Sequence, residues 1–347
     1  MSGEQTKTDL RSLTCEELRE EMLRMGESAF RGGQIFEWLH KKQARTTDEM
    51  TSLPLALRQK LKENYETAAP EIAERYVSAL DGTRKYVFSL ADGNRIESVL
   101  MRYEYGLSVC ISSQVGCRMG CRFCASTLDG LARGLSAGEM LGEVYTVARD
   151  AGERISHIVI MGTGEPLDNY DALIRFLDLV TDPRGMGLSE RNITVSTCGL
   201  VPQIRKLAAE KRQITLALSL HAATDEARRE LMPVARRYTI AETLAACEEY
   251  FRATGRRMSY EYSLVRGVND REDDARQLAG LLKGRNCHVN LIPVNPIAER
   301  DFRAPEAARA AAFKKSLEKY GINATIRRKM GADIDSACGQ LRRGRRV

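Results

Sequence analysis

LSVCISSQVGCRMGCRFC, residues 107–124, joins a short apolar run to a loop that carries three cysteines in the spacing CxxxCxxC. The run Leu107–Ser112 predicts a buried strand. Cys117, Cys121 and Cys124 follow it, and three thiolates this close on one loop can hold three irons of a cubane cluster and leave the fourth iron open. Structural zinc is the alternative, but zinc takes four ligands and no nearby pair of residues supplies a fourth.

The chain around and beyond this loop alternates between short β-branched runs and amphipathic helices. The predicted strands are Leu107–Ser112, His157–Met161, Ile193–Thr197, Ile214–Leu220, Met258–Val265 and His288–Val294, with a last strand over Ala324–Arg328. The predicted helices are Asp171–Val180, Pro202–Glu210, Ile240–Thr254 and Arg271–Leu282. Six strands separated by helices indicate a parallel sheet with right-handed crossovers. Because polar residues end every strand, we expect a partial (β/α)6 barrel of the TIM type, an α/β fold that binds ligands at the carboxyl ends of its strands.

Two further parts are predicted before the barrel. Thr14 and Glu17 form a capping-box pattern that begins a helix, and apolar spacing predicts more helices up to about residue 66. Two alternating runs flank Asp92-Gly93, which predicts a β-hairpin. The expected domains are a small N-terminal helical domain over 1–66, a β-hairpin extension over 67–105, the barrel over 106–330 and a C-terminal tail over 331–347.

Composition excludes several classes of protein. With 43% hydrophobic and 29% charged residues, the 347-residue chain is not disordered. No apolar stretch approaches the ~18 residues that a membrane span requires, and the polar N-terminal residues favour a cytoplasmic location. Nine cysteines, an odd number, argue against a disulfide scaffold. The net charge is only +6, but basic residues cluster at Arg256-Arg257, at 327–329 and between residues 342 and 346.

Small polar residues end several predicted strands. The turn MGTGEP at residues 161–166 contains Gly164, which lets the backbone approach a ligand, and Glu165, whose carboxylate can accept from an ammonium group. One such residue is more often a core polar group than a ligand contact, but several at corresponding strand ends favour a ligand site. The others are Ser196, Ser219, Leu220, His221 and Asn295.

The cysteine triplet, with Phe123 before its last cysteine, resembles the cluster motif of the radical S-adenosylmethionine enzymes. Longer motifs resemble the dual-specificity adenine-C2 methyltransferases of 23S rRNA and tRNA over nearly the whole chain. These motifs are CISSQVGC at 110–117, MGTGEPLDN at 161–169, SLH at 219–221, NLIPVNP at 290–296 and DIDSACGQL at 333–341. The related adenine-C8 methyltransferases, which confer antibiotic resistance, have Ala where this chain has Pro166. Thr163 departs from the family, which more often has Met there.

The resemblance implies a radical SAM barrel with a [4Fe–4S] cluster on the three cysteines and S-adenosyl-L-methionine at the strand-end residues. It implies that Cys338 accepts a methyl group and is then activated by a 5′-deoxyadenosyl radical, so that its carbon adds to adenine C2. Cys110 would resolve the adduct through a transient disulfide with Cys338, and Glu97 would accept the proton from the base.

The same resemblance implies the partners of the protein. They are 23S rRNA at the peptidyl-transferase centre, the anticodon loop of tRNA, and an electron donor such as flavodoxin or ferredoxin. We expect a monomer, with RNA on the helical domain and on the arginine clusters. Two alternatives remain open at this point: an adenine-C8 methyltransferase, and a non-catalytic RNA-binding protein that contains a cluster or zinc.

Overall fold

The N-terminal part of the molecule is helical. The computed structural model describes residues 7–67 and 69–342. Thr14 caps the first helix and exchanges hydrogen bonds with Glu17, which confirms the predicted capping box. The elements here are β1 (Thr8–Asp9), α1 (Cys15–Arg24), α2 (Phe30–His40), α3 (Leu55–Asn64) and β2 (Tyr65–Glu66), and β1 pairs with β2 in parallel.

The other strands follow along residues 69–342. They are β3 (Glu71–Val77), β4 (Arg84–Ser89), β5 (Arg95–Tyr103), β6 (Gly106–Ile111), β7 (Gln114–Gly116), β8 (Leu131–Gly134), β9 (Ile155–Ile160), β10 (Ile193–Thr197), β11 (Thr215–Ser219), β12 (Met258–Leu264), β13 (Cys287–Pro293) and β14 (Ala324–Ile326). One sheet has the order β14-β13-β12-β11-β10-β9-β6-β5-β4-β3, parallel from β14 to β6 and antiparallel from β6 to β3. The parallel part is the predicted partial barrel, and the antiparallel part is the predicted extension.

Helices connect the parallel strands. They are α4 (Ala137–Ala151), α5 (Tyr170–Thr181), α6 (Val201–Ala209), α7 (Asp225–Leu231), α8 (Ile240–Thr254), α9 (Glu272–Leu282) and α10 (Ala307–Lys319). Short 3₁₀ turns lie at Leu10–Ser12, Thr47–Glu49, Ala125–Thr127, Pro166–Asn169, Glu190–Asn192 and Pro233–Arg236. Strand and helix side chains form one large apolar core, and two smaller apolar clusters lie apart from it. No helix in the described part of the chain is long and apolar enough to cross a membrane.

Several elements differ from the sequence prediction. The predicted hairpin is part of the barrel sheet, because β5 pairs with β6. The strand pattern does not predict β3, since this edge strand is exposed along its whole length and has no buried face. The helices predicted from the sequence do not include α4 and α10. The start of α4 nevertheless has a second capping box, formed by Ser136 and Glu139. The last strand ends at Ile326, two residues before its predicted end.

Candidate active site

A cavity lies at the carboxyl ends of the parallel strands. The cysteine loop forms one wall and the ends of β9 to β13 form the others. Its lining includes Cys117, Cys121, Cys124, Gly164, Glu165, Ser196, Ser219, His221, Asn295 and Cys338. The structure therefore brings together nearly all of the strand-end residues that the sequence predicts.

Backbone hydrogen bonds hold the cysteine loop in shape. The Cys117 amide donates to the Gly130 carbonyl at 3.0 Å, and the Cys124 amide donates to the Cys121 carbonyl at 3.1 Å. Gly116 has a φ of +80°, and a Cβ there would lie 1.9 Å from the Gly130 oxygen. Only glycine fits at this turn, because any side chain would push the loop away from the strand that closes it.

The three thiols suit a cluster better than a single ion. Each of Cys117, Cys121 and Cys124 lines the same cavity. In residues 7–67 and 69–342, no three Cys, His, Asp or Glu side chains close around a point that could hold one metal ion. A cubane cluster places each cysteine on a different iron, so its sulfur atoms need not converge on one point. Burial raises the pKa of Cys117 to about 12, and a metal cation bound at its sulfur would favour the thiolate form.

Glu165 is a fixed, buried carboxylate in this cavity. Its oxygens accept from the Cys198 amide at 2.7 Å and from the Leu167 amide at 3.0 Å. Burial raises the pKa of Glu165, so a cation bound beside it would stabilise the ionised form. The ammonium group of S-adenosylmethionine is such a cation. Gly164, with φ of +112°, must be glycine because a Cβ would lie 2.7 Å from the Cβ of Gln114.

His221 supplies a neutral donor to the cavity. Its Nδ1 accepts from the Ser263 amide at 2.9 Å, and burial lowers the pKa of the ring to about 3. The proton of the neutral ring is therefore on Nε2. The Phe123 ring contacts the imidazole edge to face, with 4.8 Å between centroids, which ties the strand end to the cysteine loop.

Leu220 is the one predicted cofactor residue that does not line the cavity. Its side chain is buried in the core. Its amide donates to the Glu261 carbonyl at 3.0 Å, and its carbonyl accepts from Arg228 Nε at 3.2 Å. Both of its backbone polar groups therefore have protein partners, and Leu220 serves to place Ser219 and His221 on either side of it.

A second, smaller cavity lies behind the first and contains the other two predicted thiols. Cys110 and Cys338 both line it, and Cys338 lines the first cavity as well. Burial raises the pKa of Cys110, and negative charge on Cys338 raises it further. All nine cysteines are free thiols, so the predicted disulfide between Cys110 and Cys338 is not formed in this structure.

The C-terminal tail that carries Cys338 is tied to both sides of the barrel mouth. Asn295 Nδ2 donates to the Cys338 carbonyl at 3.1 Å, and Ser126 Oγ donates to the Leu341 carbonyl at 2.7 Å. The Leu341 side chain is buried with Val99, Met101 and Cys110. The tail is thus docked by specific contacts, and these contacts hold Cys338 over the cavity.

Glu97 lies beside the tail and is buried, with 8% of its surface exposed. One carboxylate oxygen accepts from the Arg342 amide at 2.8 Å, and the other lies 3.5 Å from Lys85 Nζ. Burial raises the pKa of Glu97, while Lys85 and the Arg342 amide lower it. Lys85 is a site residue that the sequence does not reveal, because only the pairing of β4 with β5 brings it to Glu97.

Arg327 also escapes the sequence prediction, which places it in a surface cluster that faces RNA. In the structure, Arg327 lines both cavities, and its contact with RNA stays a prediction. A thiolate at Cys338 would raise the pKa of Arg327, and the Glu261 carboxylate raises it further. Arg256 precedes β12 and so lies at the strand ends opposite the cavity. Of the C-terminal arginine cluster, only Arg342 is described; Arg343, Arg345 and Arg346 lie outside the described residues.

This fold and site define a radical S-adenosylmethionine enzyme that uses a [4Fe–4S] cluster and S-adenosylmethionine. Residues 111–279 match the Radical SAM superfamily, and residues 8–67 match the Ribosomal RNA large subunit methyltransferase N-terminal domain. The chain belongs to the RlmN family of RNA methyltransferases. A protein of Lachnospira eligens named "Probable dual-specificity RNA methyltransferase RlmN" is 57% identical over 335 residues, 96% of each chain.

Two more comparisons agree with this assignment. A Lachnoclostridium phytofermentans protein of the same name is 58% identical, over 97% of this chain and 95% of its own length. The crystal structure of a radical SAM methyltransferase from Sphaerobacter thermophilus has 45% sequence identity and a TM-score of 0.93, over 96% of this chain and 99% of that one. Three predictions are therefore confirmed: the family that the motifs resemble, the partial barrel, and the cofactors.

Proposed function

We propose that this enzyme methylates C2 of adenosine in 23S rRNA, at the peptidyl-transferase centre, and in the anticodon loop of tRNA. The names of its relatives, dual-specificity RNA methyltransferases, support the two RNA classes, and Pro166 favours C2 over C8. One observation carries the mechanism: Cys338 lines both the cofactor cavity and the cavity that contains Cys110. A tail thiol in this position can meet the cofactor on one side and a second thiol on the other.

The residues then have distinct tasks. When bound, the cluster and S-adenosylmethionine supply a methyl group for displacement and a 5′-deoxyadenosyl radical. Cys117, Cys121 and Cys124 hold the cluster, and Glu165 binds the methionine ammonium. Gly164, Ser196, Ser219, His221 and Asn295 complete the cofactor site.

The tail and the hairpin carry out the transfer. Cys338 accepts the methyl group on Sγ, gives up one hydrogen atom of that group to the 5′-deoxyadenosyl radical, and adds the remaining CH2 carbon to adenine C2. Glu97 accepts the C2 proton, and the unpaired electron of the adduct would pass to the oxidised cluster, which leaves a closed-shell thioether. The Cys110 thiolate then attacks the Cys338 sulfur, which forms a disulfide and breaks the carbon–sulfur bond, and the departing carbon takes up a proton to become the methyl group of the released base.

The rest of the proposal concerns partners and domains. We assign RNA binding to the helical domain over 1–66, which overlaps the match to a ribosomal RNA methyltransferase domain. The extension over 67–105 carries Glu97, the barrel over 106–330 holds the cofactors, and the tail over 331–347 carries Cys338. A flavodoxin or ferredoxin supplies the electron. The enzyme acts as a monomer in the cytoplasm.

Mass spectrometry of digested RNA tests this function. In a strain that lacks the gene, 23S rRNA and tRNA should lose 2-methyladenosine, and the wild-type gene should restore it. A gene encoding Cys338→Ala should not restore it. Loss of 8-methyladenosine instead would show that the enzyme is the C8 methyltransferase, and no change in either base would favour a non-catalytic RNA-binding protein.

A further inference from the structure

A surface pocket lies beside the mouth of the cofactor cavity. It is lined by Arg122, Val265, Arg266, Val268, Arg300, Phe302 and Arg303, with Glu299 and Asp301 at its edge. We call the arginines at 122, 266, 300 and 303 the arginine pocket. Arg122 belongs to the cysteine loop, and Val265 lies two residues beyond Ser263, which lines the cofactor cavity. The two concave sites therefore share one face of the barrel.

The positive charge of the arginine pocket is largely uncompensated. Across the described residues, the side chains of Arg300 and Arg303 form no hydrogen bond or ion pair. Arg266 has only a loose pair with Glu306, at 3.6 Å, and 79% of the Glu306 side chain is exposed. Exposed pairs of this kind contribute little.

The acidic residues nearby do not cancel this charge. Glu299 is already paired with Arg342 from the tail, at 2.6 Å, which leaves Asp301 as the acid at the edge of the pocket without an ion pair among the described residues. The Arg122 guanidinium donates to the Glu230 carbonyl at 3.2 Å and lies 5.5 Å from the centre of the Phe302 ring. The pocket thus combines excess positive charge with one aromatic surface.

We propose that the arginine pocket binds backbone phosphates of the RNA substrate next to the adenosine that enters the cavity. This inference rests on the proposed function and adds to it the place where the RNA strand lies. An adenine reaches the cavity only when it is unstacked, so the phosphates that flank it must cross the rim of the barrel mouth. Arginine binds phosphate oxygens in a bidentate fashion, and an aromatic ring can stack on an unpaired neighbouring base.

An acidic electron-donor protein is the competing occupant, because it must also approach the cluster. Weak electron-transfer complexes bury up to about 1,200 Å² in total, spread over the surfaces of both partners. The pocket is instead a local concavity whose arginines converge from three separate segments, namely the cysteine loop, the end of β12 and residues 300–303. This geometry suits a phosphodiester better than a broad protein surface.

The test is the double variant Arg300→Glu and Arg303→Glu. Its affinity for a tRNA anticodon stem-loop and for a 23S rRNA fragment is measured by fluorescence anisotropy at several KCl concentrations. If each arginine contacts one phosphate, the slope of log K against log salt falls by about 0.7–0.9 per contact. The KM for RNA should rise at least tenfold, with kcat nearly unchanged. The matched control is Arg252→Glu with Arg276→Glu, which reverses two exposed arginines on the outer helices α8 and α9.

Two further measurements separate the possible outcomes. Iron content, and cleavage of S-adenosylmethionine with dithionite as reductant, should match wild type in both double variants. RNA affinity and salt slope equal to those of the control would overturn the proposal. Normal RNA affinity with slow reduction by flavodoxin would also overturn it, and would assign the pocket to the electron donor. The proposed function itself is tested separately, by measuring the position of the methyl group in RNA that the wild-type enzyme has methylated.

Discussion

Leu341→Ala should release the C-terminal tail without touching the cofactor site. Leu341 is 4% exposed and packs with Val99, Met101 and Cys110, and it does not line the cofactor cavity. Truncating a buried leucine to alanine costs about 2–5 kcal/mol. Because this contact exists only when the tail is docked, the cost falls on the docked state. At the lower end of this range, the docking equilibrium weakens about 30-fold.

Two assays follow the tail directly. Limited trypsin digestion should cut the variant faster after Arg328 and Lys329, and the mass of the Cys338 peptide should show at least tenfold slower methylation in a single turnover. Iron content should stay at the wild-type level. Leu341→Met is the matched control, because a change that conserves volume costs less than about 1.5 kcal/mol. Wild-type protection from trypsin together with wild-type methylation in Leu341→Ala would refute the claim that this contact positions Cys338.

Three other substitutions test individual roles. Cys110→Ala should leave Cys338 able to add to adenine, but the adenine could not then be released. A nuclease-sensitive protein–RNA band should therefore accumulate on a denaturing gel. Normal turnover with no such band would exclude the resolving role of Cys110. Lys85→Met removes the cation that lowers the pKa of Glu97. Because Glu97 accepts a proton only as a carboxylate, the acid limb of the pH profile for adduct release should move to higher pH, whereas Lys85→Arg should keep the wild-type profile; an unshifted Lys85→Met profile would contradict this. Glu165→Gln loses a charged hydrogen bond worth about 1.5–3 kcal/mol, so the Kd for S-adenosylmethionine in equilibrium dialysis should rise about 10- to 150-fold. An unchanged Kd would show that the ammonium binds elsewhere.

The predictions that the structure supports come from short stretches of sequence. The cysteine loop could be recognised because its three thiols lie within eight residues of chain. The strand-end residues could be grouped because parallel strands with right-handed crossovers place their carboxyl ends on one edge. The alternation of strands and helices determines which residues end neighbouring strands. The sequence alone therefore places Glu165 and His221 in one site.

The features that sequence reasoning missed depend on contacts distant in the chain. Arg327 looks like part of a basic surface run until β13 and β14 pair and bring it beside Cys338. Lys85 is an ordinary strand lysine until the pairing of β4 with β5 sets it opposite Val99, diagonally across from Glu97. Glu261, a carboxylate within the predicted strand Met258–Val265, is a sequence signal for a charged partner inside the barrel, and the structure buries it.

The central claim is that the methyl group passes through Cys338, and isotope labelling tests it most directly. The enzyme is supplied with S-adenosylmethionine whose methyl group carries three deuterium atoms, and RNA and 5′-deoxyadenosine are analysed by mass spectrometry after one turnover. If a hydrogen atom leaves the methyl group on Cys338, 5′-deoxyadenosine should gain one deuterium and the methylated adenosine should retain two. A methyl group that keeps all three deuterium atoms, with none in 5′-deoxyadenosine, would contradict the account.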